Sequence, residues 1–86
     1  MDINDLIEIV KKKLQKEIII ENISIEDKSF LHKGHSGNQL GKFHLKITIK
    51  SKELNKINKI SSNRKIYKIL DEELKLHIHS LQILII

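Results

Sequence analysis

The chain has 86 residues, of which 40% are hydrophobic and 31% charged, and its formal net charge is +5 at pH 7. This length predicts a single small domain, and the apolar content is too high for an intrinsically disordered chain. The absence of cysteine excludes disulfide bonds and any zinc or iron site built from the chain's own thiolates.

The sequence contains no run of about 20 apolar residues, so we expect no membrane-spanning helix and no membrane partner. The first ten residues, MDINDLIEIV, are acidic where a secretory signal peptide would be basic. These features predict a cytoplasmic protein, or one of an organelle matrix if the organism is eukaryotic. The positive charge favours weak attraction to polyanions or acidic proteins, although an AT-rich genome also gives such a lysine-rich composition.

The first predicted element is an amphipathic helix over residues 2–16. Apolar residues recur in it with a 3.6-residue period, and acidic residues begin it while lysines end it, as the helix dipole favours. The next predicted element is a strand, placed at residues 22–27 because isoleucines alternate there with polar residues. The predicted buried stripe of the helix consists of Ile3, Leu6, Ile7, Val10 and Leu14.

All three glycines lie in residues 31–41, LHKGHSGNQLG, which have no periodicity and predict a loop. Residues 43–50, FHLKITIK, alternate apolar and polar side chains, so they predict a strand with one face exposed to water. The two strands would form an antiparallel hairpin. Loops of this length within compact domains are usually functional or disordered.

Two helices are predicted in the second half of the chain. Leu54, Ile57 and Ile60 share one face of a short helix over residues 52–60. Ser61 or Ser62 then offers an N-cap for a helix that runs to residue 75. The apolar stripe of this second helix consists of Ile66, Tyr67, Ile69, Leu70 and Leu74.

The last ten residues, HIHSLQILII, predict a buried strand, because they include four β-branched isoleucines and their alternation places His79, Leu81, Ile83 and Ile85 on one side. A strand that follows a helical connection is expected to pair in parallel with a member of the hairpin. The order α-β-β-α-α-β predicts an α+β fold, a two-layer sandwich in which helices cover one face of a three-stranded mixed sheet.

Several segments carry a resemblance to the BolA family: IEDKS at 25–29, HKGHSG at 32–37, GKFHLKI at 41–47, RKIY at 64–67 and EELKLHIHSLQI at 72–83. At these places the family has a strand ending in D-x-S, a loop with H-x-G-H, a T-H-F strand start, an R-H-R-x-x-Y helix and a V-H-A-L segment. Ser62 and Asn63 replace the first two residues of R-H-R. The resemblance implies a single BolA-like domain over residues 1–86 with a type II KH-like fold.

The resemblance also implies a metal role for two histidines. His79 matches the histidine of V-H-A-L, which in BolA-like proteins is a ligand of a 2Fe-2S cluster shared with a monothiol glutaredoxin and glutathione. His35, the second histidine of H-x-G-H, is the implied second ligand, and His32 is the competing candidate. A chain without cysteine supplies no thiolate, so we expect no cluster on the isolated protein. A zinc or ferrous ion on these histidines is the rival interpretation.

The remaining two histidines have structural interpretations. His44 opens the second strand on its polar face, and its predicted role is a hydrogen bond at the base of the loop. His77 lies two residues before His79, so in a strand the two side chains point to the same side. We interpret His77 as a bystander at the partner interface.

A row of basic residues marks the predicted helix pair: Lys52, Lys56, Lys59, Arg64 and Lys68. These side chains could contact DNA or an acidic protein, or form an ordinary solvated face, and the family is also described as DNA-binding transcriptional regulators. The sequence shows no nucleophile motif, phosphate loop or carboxylate pair. We therefore predict a non-enzymatic adaptor in iron-sulfur cluster transfer or iron and redox regulation, a monomer or weak homodimer when alone, with DNA-binding regulator as the alternative.

Overall fold

The structure, a computed structural model, describes residues 1–29 and 42–86. Helix α1 spans Ile3–Glu17, and the strands β1 and β2 span Asn22–Asp27 and Phe43–Lys50. They are followed by three helices, α2 at Lys52–Asn55, α3 at Lys59–Ile69 and α4 at Asp71–Leu76, and by strand β3 at Ile78–Ile85. None of the helices in these two ranges could span a membrane.

The three strands form one mixed sheet in the order β1-β2-β3. β1 pairs with β2 antiparallel, from Asn22 opposite Lys50 to Asp27 opposite Leu45. β3 pairs with β2 in parallel, as its helical connection predicts. The α+β fold with a three-stranded mixed sheet is therefore confirmed. The predicted loop at residues 31–41 lies outside the described residues.

The core lies between α1, the later helices and one face of the sheet. The predicted stripe of α1 is confirmed, because Leu6, Val10 and Leu14 are completely buried. Alternation along β2 turns Ile47 and Ile49 toward the same core, while polar side chains occupy the opposite face. The buried hydrophobic cluster consists of Leu6, Val10, Leu14, Ile18, Leu45, Ile47, Ile49, Leu54, Ile66, Leu70 and Ile78.

The predicted helix over residues 52–60 is wrong in length, since α2 ends at Asn55. The predicted N-cap of the next helix is also wrong. Asn58 caps α3, and its side chain accepts a hydrogen bond from the main-chain N–H of Ser61 at 2.8 Å. An asparagine is as good an N-cap as serine, so the earlier residue starts the helix. Ser62 is buried instead and donates from its hydroxyl to the carbonyl of Leu54.

The early start of α3 changes which apolar residues reach the core. Ile57 lies between helices and Ile60 in the first turn of α3, and they are 42% and 69% exposed. Tyr67 is also exposed, and its hydroxyl donates to the carbonyl of Leu81 in β3 at 3.3 Å. The predicted continuous helix to residue 75 is interrupted at Leu70, whose backbone leaves the helical region while its side chain stays buried.

The last strand differs from its prediction in two respects. β3 is an edge strand, so its inward side chains after the buried Ile78 are half-buried rather than buried. It begins at Ile78, and His77 belongs to the end of α4, where its N–H donates to the carbonyl of Glu73 at 2.8 Å. His77 and His79 are therefore not alternate residues of one strand.

Candidate functional site

His79 lies in an irregular part of the sheet. Phe43 of β2 pairs with Ile78 of β3, but the next residue, His44, pairs with Ser80. Between these two pairs, β3 advances by two residues while β2 advances by one. His79 is therefore an additional residue, a β-bulge, without a partner on β2. Such bulges redirect side chains at sheet edges. The side chain of His79 is exposed, so its imidazole is accessible at the edge of the sheet.

His44 is the rigid neighbour of His79. This residue is only 4% exposed, although the alternation of β2 places it on the polar face. Its Nδ1 and the Oγ of Ser80 are hydrogen-bonded at 2.6 Å, and its main-chain N–H donates to the Oγ of Ser29 at 3.1 Å. The rings of His44 and His79 meet edge to face, with centroids 4.9 Å apart and planes at 62°.

Residues near both ends of segment 30–41 are held beside this histidine pair. On one side, the N–H of Lys28 donates to the carbonyl of His44 at 2.7 Å. On the other, the N–H of Phe43 donates to the carbonyl of His77 at 2.9 Å. The chain therefore leaves β1 and enters β2 next to the start of β3. The predicted ligands His35 and His32 belong to segment 30–41 and lie outside the described residues.

The site presents an exposed imidazole next to a buried, hydrogen-bonded histidine. A neutral imidazole is a competent ligand for iron and zinc. Within residues 1–29 and 42–86, no group of three or more histidine, aspartate or glutamate side chains could hold a metal ion. The described residues therefore do not form a closed metal site by themselves.

Two serines of this site are not predicted as site residues from the sequence. Ser80 anchors the ring of His44, and Ser29 binds its main chain. Both contacts join residues distant in sequence, 36 and 15 positions apart, and depend on the register of the strands. The hydrogen bond predicted for His44 is present, but its ring is covered by β3 instead of facing water.

The basic residues predicted as a contact surface are all exposed: Lys52, Lys56, Lys59, Arg64 and Lys68. They do not form one helical stripe, because α2 ends before Lys56 and Lys59 begins α3. Lys68 lines a groove of about 550 Å³ between α1 and α3. Lys59 lines a different cavity of about 200 Å³. Nine residues apart on one helix, these two lysines lie on opposite sides of it.

Comparison with known proteins agrees with this architecture. The chain matches the family model "BolA-like protein" over residues 14–86. It is 35% identical over 74 residues to the "DNA-binding transcriptional regulator BolA" of Haemophilus influenzae, an alignment that covers 86% of this chain and 69% of the relative. It is also 35% identical over 77 residues to "Protein BOLA1, chloroplastic" of Arabidopsis thaliana, covering 86% of this chain but only 48% of that longer protein.

Solved structures show the same fold. The "BolA domain of SufE1 from Arabidopsis thaliana" superposes with a TM-score of 0.76 at 31% identity, covering 91% of this chain and 86% of that one. The "BolA1 from Arabidopsis thaliana" gives the same TM-score, identity and coverage. From the family match over most of its length and from these relatives, we conclude that this chain belongs to the BolA-like family.

Proposed function

We propose that this chain is a single BolA-like domain that acts as a non-enzymatic adaptor. In this role it binds a monothiol glutaredoxin and contributes histidine ligands to a 2Fe-2S cluster held jointly with the glutaredoxin cysteine and glutathione. His79 is one ligand, and His35 of segment 30–41 is the second, with His32 as its competitor. We place this function in the cytoplasm or, in a eukaryote, in an organelle matrix, as the chloroplastic name of one relative suggests.

The observation that carries this proposal is the exposed imidazole of His79 on the bulge of an edge strand. Its ring packs against a buried histidine, and the flanks of the segment containing the second histidine are hydrogen-bonded next to it. The chain has no cysteine, so sulfur ligands belong to the partner. The cluster, when bound, supplies the redox and transfer chemistry, while this chain orients an imidazole and presents the surface around it.

Reconstitution of the complex tests the proposal directly. The protein is mixed under anaerobic conditions with a monothiol glutaredoxin, glutathione, ferrous iron and sulfide, and visible absorption and circular dichroism are recorded after gel filtration. We expect a coloured heterocomplex with the native chain. His79→Ala abolishes the visible spectrum because a ligand is lost. The loss of the spectrum is larger for His35→Ala than for His32→Ala.

His77→Ala is the matched control, since it removes an imidazole two residues away that lies outside the bulge. This variant keeps the native spectrum if the assignment of His79 is correct. Equal loss in both variants would mean that the region supports the interface without providing a specific ligand. A native chain that forms no coloured complex would refute the adaptor function itself.

DNA binding is the second candidate function, because the Haemophilus relative carries the name of a DNA-binding regulator. The five exposed basic side chains on and beside α2 and α3 provide the charge for phosphate contacts. They are four lysines and one arginine, which suits contacts to the phosphate backbone better than readout of base edges. This function would therefore have weak sequence preference unless a partner adds base contacts.

Fluorescence anisotropy with a labelled duplex at several salt concentrations tests this second function. Replacing both Lys52 and Lys56 by glutamine is expected to lower the salt slope by about one for each phosphate contact removed. Lys12→Gln, an exposed lysine on α1, serves as the control for net charge. The DNA-contact assignment is wrong if the control and the double variant weaken binding equally per charge.

A further inference from the structure

We propose that His44 is the positioning residue for His79, fixing the orientation of the His79 imidazole while Ser80 fixes His44. This inference deepens the proposed function and rests on the role of His79 as a ligand. The proposed effect is preorganisation, in which the ring of His79 is held in one orientation before a partner binds.

The bulge leaves the orientation of the His79 side chain undefined by the sheet. In a regular strand, the alternation of side chains and the facing residue together determine where a side chain points. His79 is the additional residue of the bulge and has no partner on β2. The sheet ladder therefore does not define its orientation, and another contact is required to restrict its side-chain torsions.

His44 provides that contact from a rigid position. Its ring is almost completely buried, and its Nδ1 is bonded to the Oγ of Ser80 at 2.6 Å. Its main chain is held on both sides, by the Oγ of Ser29 and by the N–H of Lys28. Because Ser80 directly follows His79, the hydrogen bond ties the ring of His44 to the bulge itself.

The contact between the two rings has the geometry of a favourable aromatic pair. Their centroids are 4.9 Å apart and their planes are inclined by 62°, within the range of edge-to-face packing. Outer groups that hydrogen-bond a metal-binding imidazole commonly change metal affinity about 10- to 100-fold when they are removed, and we expect a packing contact to act at the lower end of this range. A ring already ordered against a rigid neighbour also loses less conformational freedom on binding.

The first test uses the isolated protein and requires no cluster. In His44→Leu the buried volume is roughly kept, while the aromatic edge and the hydrogen bond to Ser80 are lost. Nuclear magnetic resonance measures the ring-to-ring Overhauser effect and the χ1 rotamer populations of His79. We expect one dominant rotamer in the native chain and rotamer averaging in His44→Leu, with Ser80→Ala intermediate and Ser80→Thr restoring the native pattern.

Thr48→Val is the matched control, because Thr48 lies on the same face of β2, two alternations farther along the strand. It is expected to leave the rotamers of His79 unchanged. If His79 keeps a single rotamer in folded His44→Leu and in Ser80→Ala, the inference is wrong. Should His44→Leu fail to fold, the Ser80 pair decides the question alone.

The second test measures the heterocomplex with glutaredoxin. We expect His44→Leu to weaken its formation about tenfold and to alter its visible circular dichroism, while Thr48→Val changes neither. A purely structural role of His44 would lower thermal stability but leave the spectrum of the complex unchanged, which would overturn the inference. Absence of any complex with the native chain refutes the proposed function, whereas the rotamer measurement still decides the positioning role.

Discussion

Individual polar residues in this protein are fixed by hydrogen bonds that a local sequence pattern does not reveal. Ser62 is the clearest case outside the histidine site. It is 1% exposed, and its hydroxyl donates to the carbonyl of Leu54 at the end of α2, joining that short helix to α3. Its neighbour Ser61 is exposed and contributes only a main-chain N–H to the cap at Asn58.

Replacing these two serines by alanine should therefore have different effects. Ser62→Ala removes the shorter of two hydrogen bonds to the carbonyl of Leu54, which keeps the N–H of Ile57 at 3.3 Å, and we expect a loss of about 1 kcal/mol in the free energy of unfolding. Ser61→Ala, with the same change in composition, should alter stability by less than about 0.5 kcal/mol. Chemical denaturation measures both values. Equal losses in the two variants would contradict the assigned hydrogen bond.

The cap of α3 makes a second prediction at this scale. Asn58→Ala removes the side-chain acceptor for the N–H of Ser61, so we expect a loss of about 1 kcal/mol in the free energy of unfolding. Asn58→Ser should recover most of the loss, since a serine hydroxyl accepts the same bond. Denaturation curves of the two variants check this, and a serine variant as weak as the alanine one would argue against capping.

Among the elements, α1 and α4 are joined by an ion pair that the sequence analysis did not identify. Lys13 of α1 contacts the carboxylate of Glu73 of α4 at 2.6 Å, and Glu72 lies at 3.6 Å. Glu73 is 5% exposed, and its Oε1 has no hydrogen-bond partner among the described residues. The hydrogen bond to Glu73 raises the pKa of Lys13 above its ordinary value of 10.5.

The raised pKa determines the pH range over which this pair stabilises the fold. Lys13 binds its proton more tightly when folded, so the stabilisation is complete below pH 10.5 and declines as the pH rises through the folded-state pKa. Lys13→Met should cost about 1–2 kcal/mol at neutral pH. This is less than for a fully buried pair, because the lysine side chain is 38% exposed.

Urea denaturation of the native chain and Lys13→Met, between pH 7 and 11.5, measures this effect. The difference between the two free energies of unfolding should be constant up to about pH 10 and shrink above it. Lys12→Met is the control on the same helix, and it should differ little from the native chain. A difference that does not change up to pH 11.5 would show that Lys13 does not titrate in contact with Glu73.

The elements with a strong period were predictable from the sequence, and those that depend on competing local signals were not. The 3.6-residue stripe of α1 and the alternation of β2 are each compatible with one type of secondary structure only. Both predictions agree with the structure. The start of α3 had three candidate caps within five residues, and the sequence does not rank Asn58 above Ser61 or Ser62. The break at Leu70 contains neither glycine nor proline, so no local signal marks it.

The histidine site was less predictable, and the ligand role that the resemblance implies for His79 stays a prediction. The alternation of the last strand groups His79 with the inward Leu81 and Ile83, whereas the bulge leaves His79 exposed. The pairing of His44 with Ser80 depends on a bulge, which moves the register by one residue and is not encoded in either strand alone. The burial of His44 could therefore not be derived from its position on the polar face of β2.

At the scale of the whole molecule, stability depends on a small aliphatic core. A chain of 86 residues buries a smaller fraction of its surface than a larger domain, and its expected stability is about 5–10 kcal/mol. β2 is the central strand, and it contributes three buried hydrophobic side chains to the core, Leu45, Ile47 and Ile49. A substitution in this strand therefore affects both neighbouring strands and the helical layer.

Ile47→Ala is expected to remove a large share of this stability. The side chain is completely buried, and truncating an isoleucine in a core costs about 2–5 kcal/mol through lost transfer energy and the remaining cavity. Ile19→Ala, at a residue 74% exposed, should cost less than about 0.5 kcal/mol. In thermal unfolding, each kcal/mol lowers the midpoint by about 4–8 °C for a domain of this size. Similar midpoints for the two variants would show that β2 does not lie at the centre of the core. The position of the His44–His79 pair, which depends on β2, would then also be wrong.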